Sequence, residues 1–359
     1  MSKVNIDCKH FRGHIPCKPH KATGVHCPEC KQYEPLKERI LIIKLGAVGD
    51  VIRTTPLLRR LRQDFPQAEI SWLSYTPPVV PMDWVDNALD MSLQNILWLG
   101  AQQLDWVINL DKDKEAVALA DKLRAERKSG FIMGKYGKCV SDKGRSEHDK
   151  WVTGLWDDAN QANTQNYMQE IFSICGYTFN DERYILNIEQ RAFPQVDHRK
   201  IVVGLNTGCG ERWPTRLWPD RYWAELSETL SKKGYEVILL GGPQEDEKNR
   251  KLAAQSGAKY LGTFPFGEFY SLIDQCDIVV SQVTMAMHVA IARDKYLVLL
   301  NNIFNRNEFY LYGKGTILQP DLPCLGCFKQ RFDSNCKSSN CMELIAVSQV
   351  LQAIEPYRR

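Results

Sequence analysis

The run Ile40-Leu41-Ile42-Ile43 is apolar at every position, so as a strand it must be covered on both faces. Only a sheet flanked by helices on each side offers such a place. The run leads into Lys44-Leu45-Gly46-Ala47-Val48-Gly49-Asp50, and a helical pattern of Val51, Leu57, Leu58 and Leu61 follows. Strand, glycine loop and helix together build the anion sites of α/β proteins, because free N–H groups and the helix dipole point at the ligand. Here, however, Asp50 occupies the place of a phosphate, and a carboxylate there repels a diphosphate. The loop also lacks the Gly-Lys-Ser/Thr ending of a P-loop and the G-x-G-x-x-G of a dinucleotide fold. An ionised Asp50, stabilised by the dipole, can instead serve as a base. The alternative is that Asp50 only caps the helix.

The pattern recurs. Strands are predicted at 39–45, 69–74, 106–110 and 128–132, with helices over 49–65, 114–127 and 163–175. After a polar linker at 189–200 come strands at 201–206, 236–240, 278–281 and 296–300. Helices are predicted over 219–233, 244–256, 285–293 and, last, about 346–355. Such alternation means parallel sheets with helices on both faces. The expected division is a Cys/His module at 1–36, Rossmann-like α/β domains at 37–192 and 198–342, and a C-terminal helix at 343–359. Two doubly wound domains in series place two ligand-binding edges across a cleft, which suits an enzyme joining two substrates. The length of 359 residues fits this, being too great for one typical core.

The net charge of +3 gives no case for nucleic acid as a partner. The polar, Cys/His-rich N-terminus is not a signal peptide, and no apolar stretch reaches transmembrane length. The expected location is cytoplasmic, which is compatible with peripheral association with the inner membrane; oligomeric state is not readable.

The second block supplies what the first loop lacks. Thr207-Gly208-Cys209-Gly210 lets the backbone approach an anion, and Arg212 and Arg216 offer forked phosphate donors. The alternative is that the arginines are solvated and the nearby tryptophans are packing residues. Downstream, Gly241-Gly242-Pro243-Gln244-Glu245 puts a carboxylate at a strand end, where it can meet a ribose or base, or simply favour a helix start.

Residues 42–50 with Thr54-Thr55-Pro56, the loop 212–219, Gly241-Gly242-Pro243-x-Glu245 and Thr284-Met285-Ala286-Met287-His288 resemble, in order, the motifs of glycosyltransferase family 9, the bacterial ADP-heptose heptosyltransferases. The resemblance spans residues 39–355. It implies a GT-B fold with acceptor bound by the first domain and donor by the second, inversion at the anomeric carbon, and no metal in the transfer. By this resemblance Asp50 is the general base, and Arg216 replaces the family's usual lysine against the leaving nucleoside diphosphate. Thr207, Gly208 and Arg212 meet the phosphates, Glu245 the adenosine side, and Thr284 and His288 lie beside the diphosphate at a helix start. Gly49 and Lys44 fall on the acceptor side. One departure is clear: the family's Asp-Thr/Ser-Gly-x-x-His reads Val283-Thr284-Met285-Ala286-Met287-His288 here, so an acid toward the donor is missing, with Gln282 as a neighbour to compensate.

Eight of twelve cysteines fall in two groups, which in a reducing compartment read as metal ligands rather than disulfides. Cys324-x2-Cys327-x8-Cys336-x4-Cys341 suits a tetrahedral S4 site for zinc or iron. With the run 302–310 it resembles the autotransporter heptosyltransferases, in which a metal-binding finger follows the donor domain. Cys8-x8-Cys17-x9-Cys27-x2-Cys30 is interleaved with His10, His14, His20 and His26, and the four cysteines lead as ligands. Closed S4 sites leave no open coordination position, so both groups are structural.

The resulting expectation is an inverting transfer of a sugar, heptose by resemblance, from ADP-heptose to a hydroxyl of a lipopolysaccharide-type glycan, with cleft closure excluding water. The alternatives are a protein acceptor, an epimerase or hydrolase on the same fold, and a decayed metal-binding scaffold.

Overall fold

The computed structural model describes residues 3–142, 144–210, 213–329, 331–333, 336 and 340–357. Contacts gather the chain into two compact units: Met1–Gly46 with Pro56–Glu147, and Ala47–Thr55 with His148–Arg359.

The first unit carries β1 (Arg39–Ile43), β2 (Glu69–Leu73), β3 (Asn87–Leu89), β4 (Gln103–Asn109), β5 (Arg124–Met133) and β6 (Cys139–Ser141). Their order is β3-β2-β1-β4-β5-β6, parallel except that β6 runs antiparallel to β5. Residues 40–43 are buried as their composition demands, and Leu41, Ile43, Leu45, Leu73 and Val107 pack in one core. The strand order reverses between β1 and β4, and the crevice at their carboxyl ends is where such sheets bind ligands.

The second unit carries β7 (Val202–Asn206), β8 (Glu236–Leu240), β9 (Lys259–Tyr260), β10 (Ile278–Gln282), β11 (Tyr296–Leu300) and β12 (Gly315–Leu318). The order β12-β11-β10-β7-β8-β9 is parallel throughout and reverses between β7 and β10. Every residue of β7, β8 and β10 is buried. The helix Val347–Ile354 joins this unit's core beside Trp218, Trp223 and Leu226, and Trp218 Nε1 donates to Ile345 O at 2.9 Å. The α/β architecture with two parallel-sheet units is as expected.

Two local expectations fail for physical reasons. The helix expected over 49–65 is two helices, Val48–Thr54 and Pro56–Asp64, broken where Pro56 offers no N–H. The helix expected over 114–127 stops at Lys122, because the charged segment after it pairs with β4 as β5, starting at Gln103 opposite Arg124. Strand pairing there overrides helical propensity. The three-residue strands β3 and β6 are too short to show a period. Among the described residues no helix is long and apolar enough to cross a membrane.

Candidate active site

At the β7/β10 reversal, the loop after β7 and the turn after β10 are tied into one network. Asn206 Nδ2 donates to Gly208 O at 3.0 Å, to Ser281 Oγ at 3.1 Å and to Thr284 Oγ1 at 3.2 Å. Thr284 in turn caps the helix Met285–Ala292, accepting from Ala286 N at 3.2 Å. Thr207 is fully buried; its hydroxyl donates to Asn249 Oδ1 at 2.6 Å, and Lys248 Nζ donates to its carbonyl at 2.9 Å. A methyl group on Gly208 would overlap the Glu245 carboxylate, so only glycine allows that side chain to lie against the loop. Glu245 Oε2 also accepts from Gly242 N at 2.9 Å, closing its own turn.

Arg216 is half-buried and its guanidinium donates to three backbone carbonyls: Cys209 O at 2.7 Å, Trp213 O at 3.4 Å and Val283 O. It therefore pins the β7 loop to the turn after β10 and fixes a positive charge at their junction. Arg212 lies outside the described residues. Gln282 is fully buried; with its amide turned to satisfy both ends it donates to Asn206 O at 2.8 Å and accepts from Trp218 N at 3.2 Å. Its polar atoms are thus engaged with backbone, and it does not replace the missing acid.

The helix Val48–Thr54 packs on Met285–Ala292 in the same unit. Gly49 makes this possible: a Cβ there would stand 2.6 Å from His288 Cδ2 and 3.4 Å from Met285 Cα. Gly49→Ala is expected to cost about 1–3 kcal/mol by overpacking, read as a lowered midpoint in denaturant unfolding. Asp50 is not the N-cap, a place taken by Ala47, but stands in the first turn and reaches back to accept from Ala47 N at 3.2 Å. Arg53 Nε lies 2.9 Å from Asp50 Oδ1, an ion pair off hydrogen-bond alignment, and Arg53 Nη1 donates to Glu308 Oε1 at 2.6 Å. The guanidinium also rests 3.7 Å over the Tyr167 ring. Burial opposes the Arg53 charge, but Asp50 and Glu308 together raise its pKa above the ordinary value. Asp50 keeps a third of its side chain exposed. The result is an oriented carboxylate with an open side.

His288 is 5% exposed, stacked beside Tyr184 at 6.2 Å between ring centres, and among the described residues its Nδ1 has no hydrogen-bond partner. Burial, then the Arg53 charge, push its pKa down to about 3, with Asp50 acting weakly the other way. It is a neutral ring within the helix pair. As pH falls, the unfolded chain takes up this proton first, near the ordinary 6.5, and the folded chain only near 3. Stability from this group is therefore complete above 6.5 and is lost toward 3, with a slope of up to about 1.4 kcal/mol per pH unit. His288→Leu is expected to flatten the stability–pH curve over that window; an unchanged slope in denaturant titrations would contradict it.

At the β1/β4 reversal of the first unit, Lys44 Nζ meets Asp111 Oδ1 at 2.5 Å and Gly46 O at 2.8 Å, while Asp111 also accepts from Leu45 N. Both side chains are buried. Burial holds the Asp111 carboxyl above its ordinary pKa despite the lysine.

Comparison with known proteins decides the family. The model of glycosyltransferase family 9 (heptosyltransferase) matches residues 98–332. The chain belongs to glycosyltransferase family 9. It is therefore a transferase. The lipopolysaccharide heptosyltransferase 2 of Salmonella typhimurium is 32% identical over 290 residues, covering 73% of this chain and 82% of that protein. Among solved structures, a family 9 glycosyl transferase from Veillonella parvula matches with TM-score 0.66 at 20% identity, over 89% of this chain and 96% of that one. An E. coli heptosyltransferase with ADP-2-deoxy-2-fluoro heptose matches with TM-score 0.61 at 15% identity, over 89% of this chain and all of that one. The iron-containing dodecameric glycosyltransferase TibC of enterotoxigenic E. coli matches with TM-score 0.55 at 14% identity, over 89% of this chain and 76% of that one. At these identities the structural likeness is one of fold.

In this family 9 chain the structure gathers Thr207, Gly208, Arg216, Glu245 and Thr284 at one sheet edge, and brings Gly49 and Asp50 to His288. Arg53, Glu308 and Lys248 escaped the sequence reading. Arg53 and Lys248 carried a signal, each lying three residues after a candidate acid; Glu308 lay in the run 302–310 but was given no role there. Cys324, Cys327, Cys336 and Cys341 all border one cavity of about 30 Å³. Asp333 N donates to Cys336 Sγ at 3.4 Å and Asn302 Nδ2 to Cys341 Sγ at 3.1 Å, bonds that suit thiolate sulfur. The donor set fits a thiolate-bound ion, although among the described residues no three Cys, His, Asp or Glu stand in ion-holding geometry.

Proposed function

We propose that this glycosyltransferase is an inverting heptosyltransferase that moves a sugar from ADP-heptose to a hydroxyl of a lipopolysaccharide-type glycan. The observation that carries the reading is the Asp50 carboxylate, oriented by Ala47 N–H and Arg53 and open on one side. As general base it takes the proton of the acceptor hydroxyl as that oxygen attacks the anomeric carbon and the nucleoside diphosphate departs. The β7 loop, with Thr207, Gly208 and the charge of Arg216, supports binding of the diphosphate and stabilisation of its developing charge. Glu245, Thr284 and His288 complete the donor side; Gly49 and Lys44 belong to the acceptor side. The relatives named above for lipopolysaccharide and for ADP-fluoroheptose support this donor and acceptor class.

No metal takes part in the transfer. Cys324, Cys327, Cys336 and Cys341 would hold a structural zinc or iron, which supplies folding energy in a closed thiolate site. The iron-containing relative supports that assignment.

The test is direct. The purified chain, with ADP-heptose and a heptose-deficient glycan acceptor, is expected to add one heptose mass to the acceptor by mass spectrometry, with inversion by NMR. Donor consumption that yields only free heptose would reject the transfer.

A further inference from the structure

Residues 3–36 are ordered without an apolar core. Among them only Pro19 is buried, and the regular structure is one short helix, Lys18–Thr23, and a turn at Cys27–Glu29. Val4, Ile6, Phe11 and Ile15 are exposed. Ordering this much backbone needs a source of stability that hydrophobic burial does not provide here. What the module has is sulfur and imidazole. Cys8, Cys17, Cys27 and Cys30 border a single cavity of about 190 Å³, with His20 and His26 also on its wall. His20 Nδ1 donates to Val25 O at 3.0 Å, which fixes its ring on the cavity wall. Cys27 and Cys30 are joined by a turn in which Cys30 N donates to Cys27 O at 3.2 Å.

We propose that Cys8, Cys17, Cys27 and Cys30 form a closed tetrathiolate centre for zinc or iron, which stabilises this module and stands apart from sugar transfer. The cavity is wider than one ion, so the thiols draw inward as metal binds, and binding is coupled to folding of the module.

Its place in the fold gives the second half of the proposal. The module's ends are laced together: Lys9 N donates to Glu34 O, Leu36 N to Asp7 O, and Tyr33 hydroxyl to Asp7 at 2.6 Å. Lys9 Nζ then meets Asp86 Oδ1 at 2.9 Å, while Asp86 Oδ2 accepts from Arg62 and from Ile70 N, both at 2.8 Å. Asp86 immediately precedes β3, and β1 begins at Arg39, so the module sits at the amino-terminal edge of the first sheet. Ligands of such sheets bind at the opposite, carboxyl edge. Five residues of β1 separate the edges by roughly 15 Å, too far for an ion to polarise a reacting bond.

The test uses the full chain purified without chelator. Elemental analysis is expected to find zinc or iron, with Cys27→Ser/Cys30→Ser losing about one equivalent per chain and Cys324→Ser/Cys327→Ser retaining it. Visible charge-transfer absorption identifies iron; a colourless centre that gives tetrathiolate d–d bands on cobalt substitution identifies zinc. The wild-type chain supplies a readout independent of the variants. Its Cys8, Cys17, Cys27 and Cys30 should resist alkylation until a chelator is added, and thermal stability should fall as the metal leaves. Rapid alkylation of all four in the untreated chain, a disulfide among them, or unchanged metal content in the Cys27/Cys30 variant overturns the site. Transfer by the folded Cys27/Cys30 variant should stay within about twofold of wild type; a folded but inactive variant overturns the separation from catalysis. Metal content is read without any sugar substrate, so failure here is distinct from failure of the transferase reading.

Discussion

Asp50→Asn is expected to lower kcat by about 10²–10⁴-fold while leaving the affinity for the nucleotide sugar nearly unchanged. The size follows from removing a positioned general base. The selectivity follows from the local structure. Asparagine keeps a side-chain oxygen able to accept from Ala47 N, so the start of the Val48–Thr54 helix keeps its cap. Arg53 keeps Glu308 at 2.6 Å and its place over Tyr167, so its buried charge is not stranded. What disappears is the proton acceptor on the open side of residue 50. Single-turnover transfer and calorimetric titration with ADP separate the two effects. Retained transfer would make Asp50 a cap alone. Joint loss of binding and transfer would mean that it organises the donor loop.

The distribution of legible and illegible features follows from how far each interaction reaches along the chain. The strands 236–240 and 296–300 were readable to the residue because burial on both faces leaves only apolar side chains or paired polar ones. Asp50 stood out as a candidate because a carboxylate in a glycine loop conflicts with the ordinary use of that loop. Arg53's partnership with Glu308 was not legible, since it joins residues 255 positions apart. The reason for Gly49 was equally hidden: the loop motif explains a glycine by its backbone freedom, whereas the structure requires it to admit the His288 ring. Arg216 shows an intermediate case. Its charge and place were legible, but its three carbonyl partners depend on the turn after β10, which only the fold brings near.

Lys44→Met is expected to destabilise the protein by about 3–5 kcal/mol, because it leaves the Asp111 carboxylate buried without its cation. That is a large part of the roughly 5–15 kcal/mol that holds a domain folded. Methionine nearly matches the lysine stem, so the loss reports charge rather than packing. Asp111 cannot relax toward water easily: it is 6% exposed and held to Leu45 N at the turn that ends β1. Its pKa, already raised by burial, rises further without Lys44, and this gives the prediction a sign in pH. A carboxyl whose folded pKa exceeds its unfolded value contributes stability fully below the unfolded pKa and loses it as pH rises through the folded one. The deficit of Lys44→Met relative to wild type should therefore shrink on acidification. Adding Asp111→Leu should recover part of the loss at neutral pH, since a buried apolar pair replaces an unpaired charge. Urea unfolding of wild type, both single variants and the double variant measures the coupling. A Lys44→Met loss below about 1 kcal/mol, as for an exposed pair, would show that water reaches Asp111 and that the β1/β4 turn is held by its backbone alone.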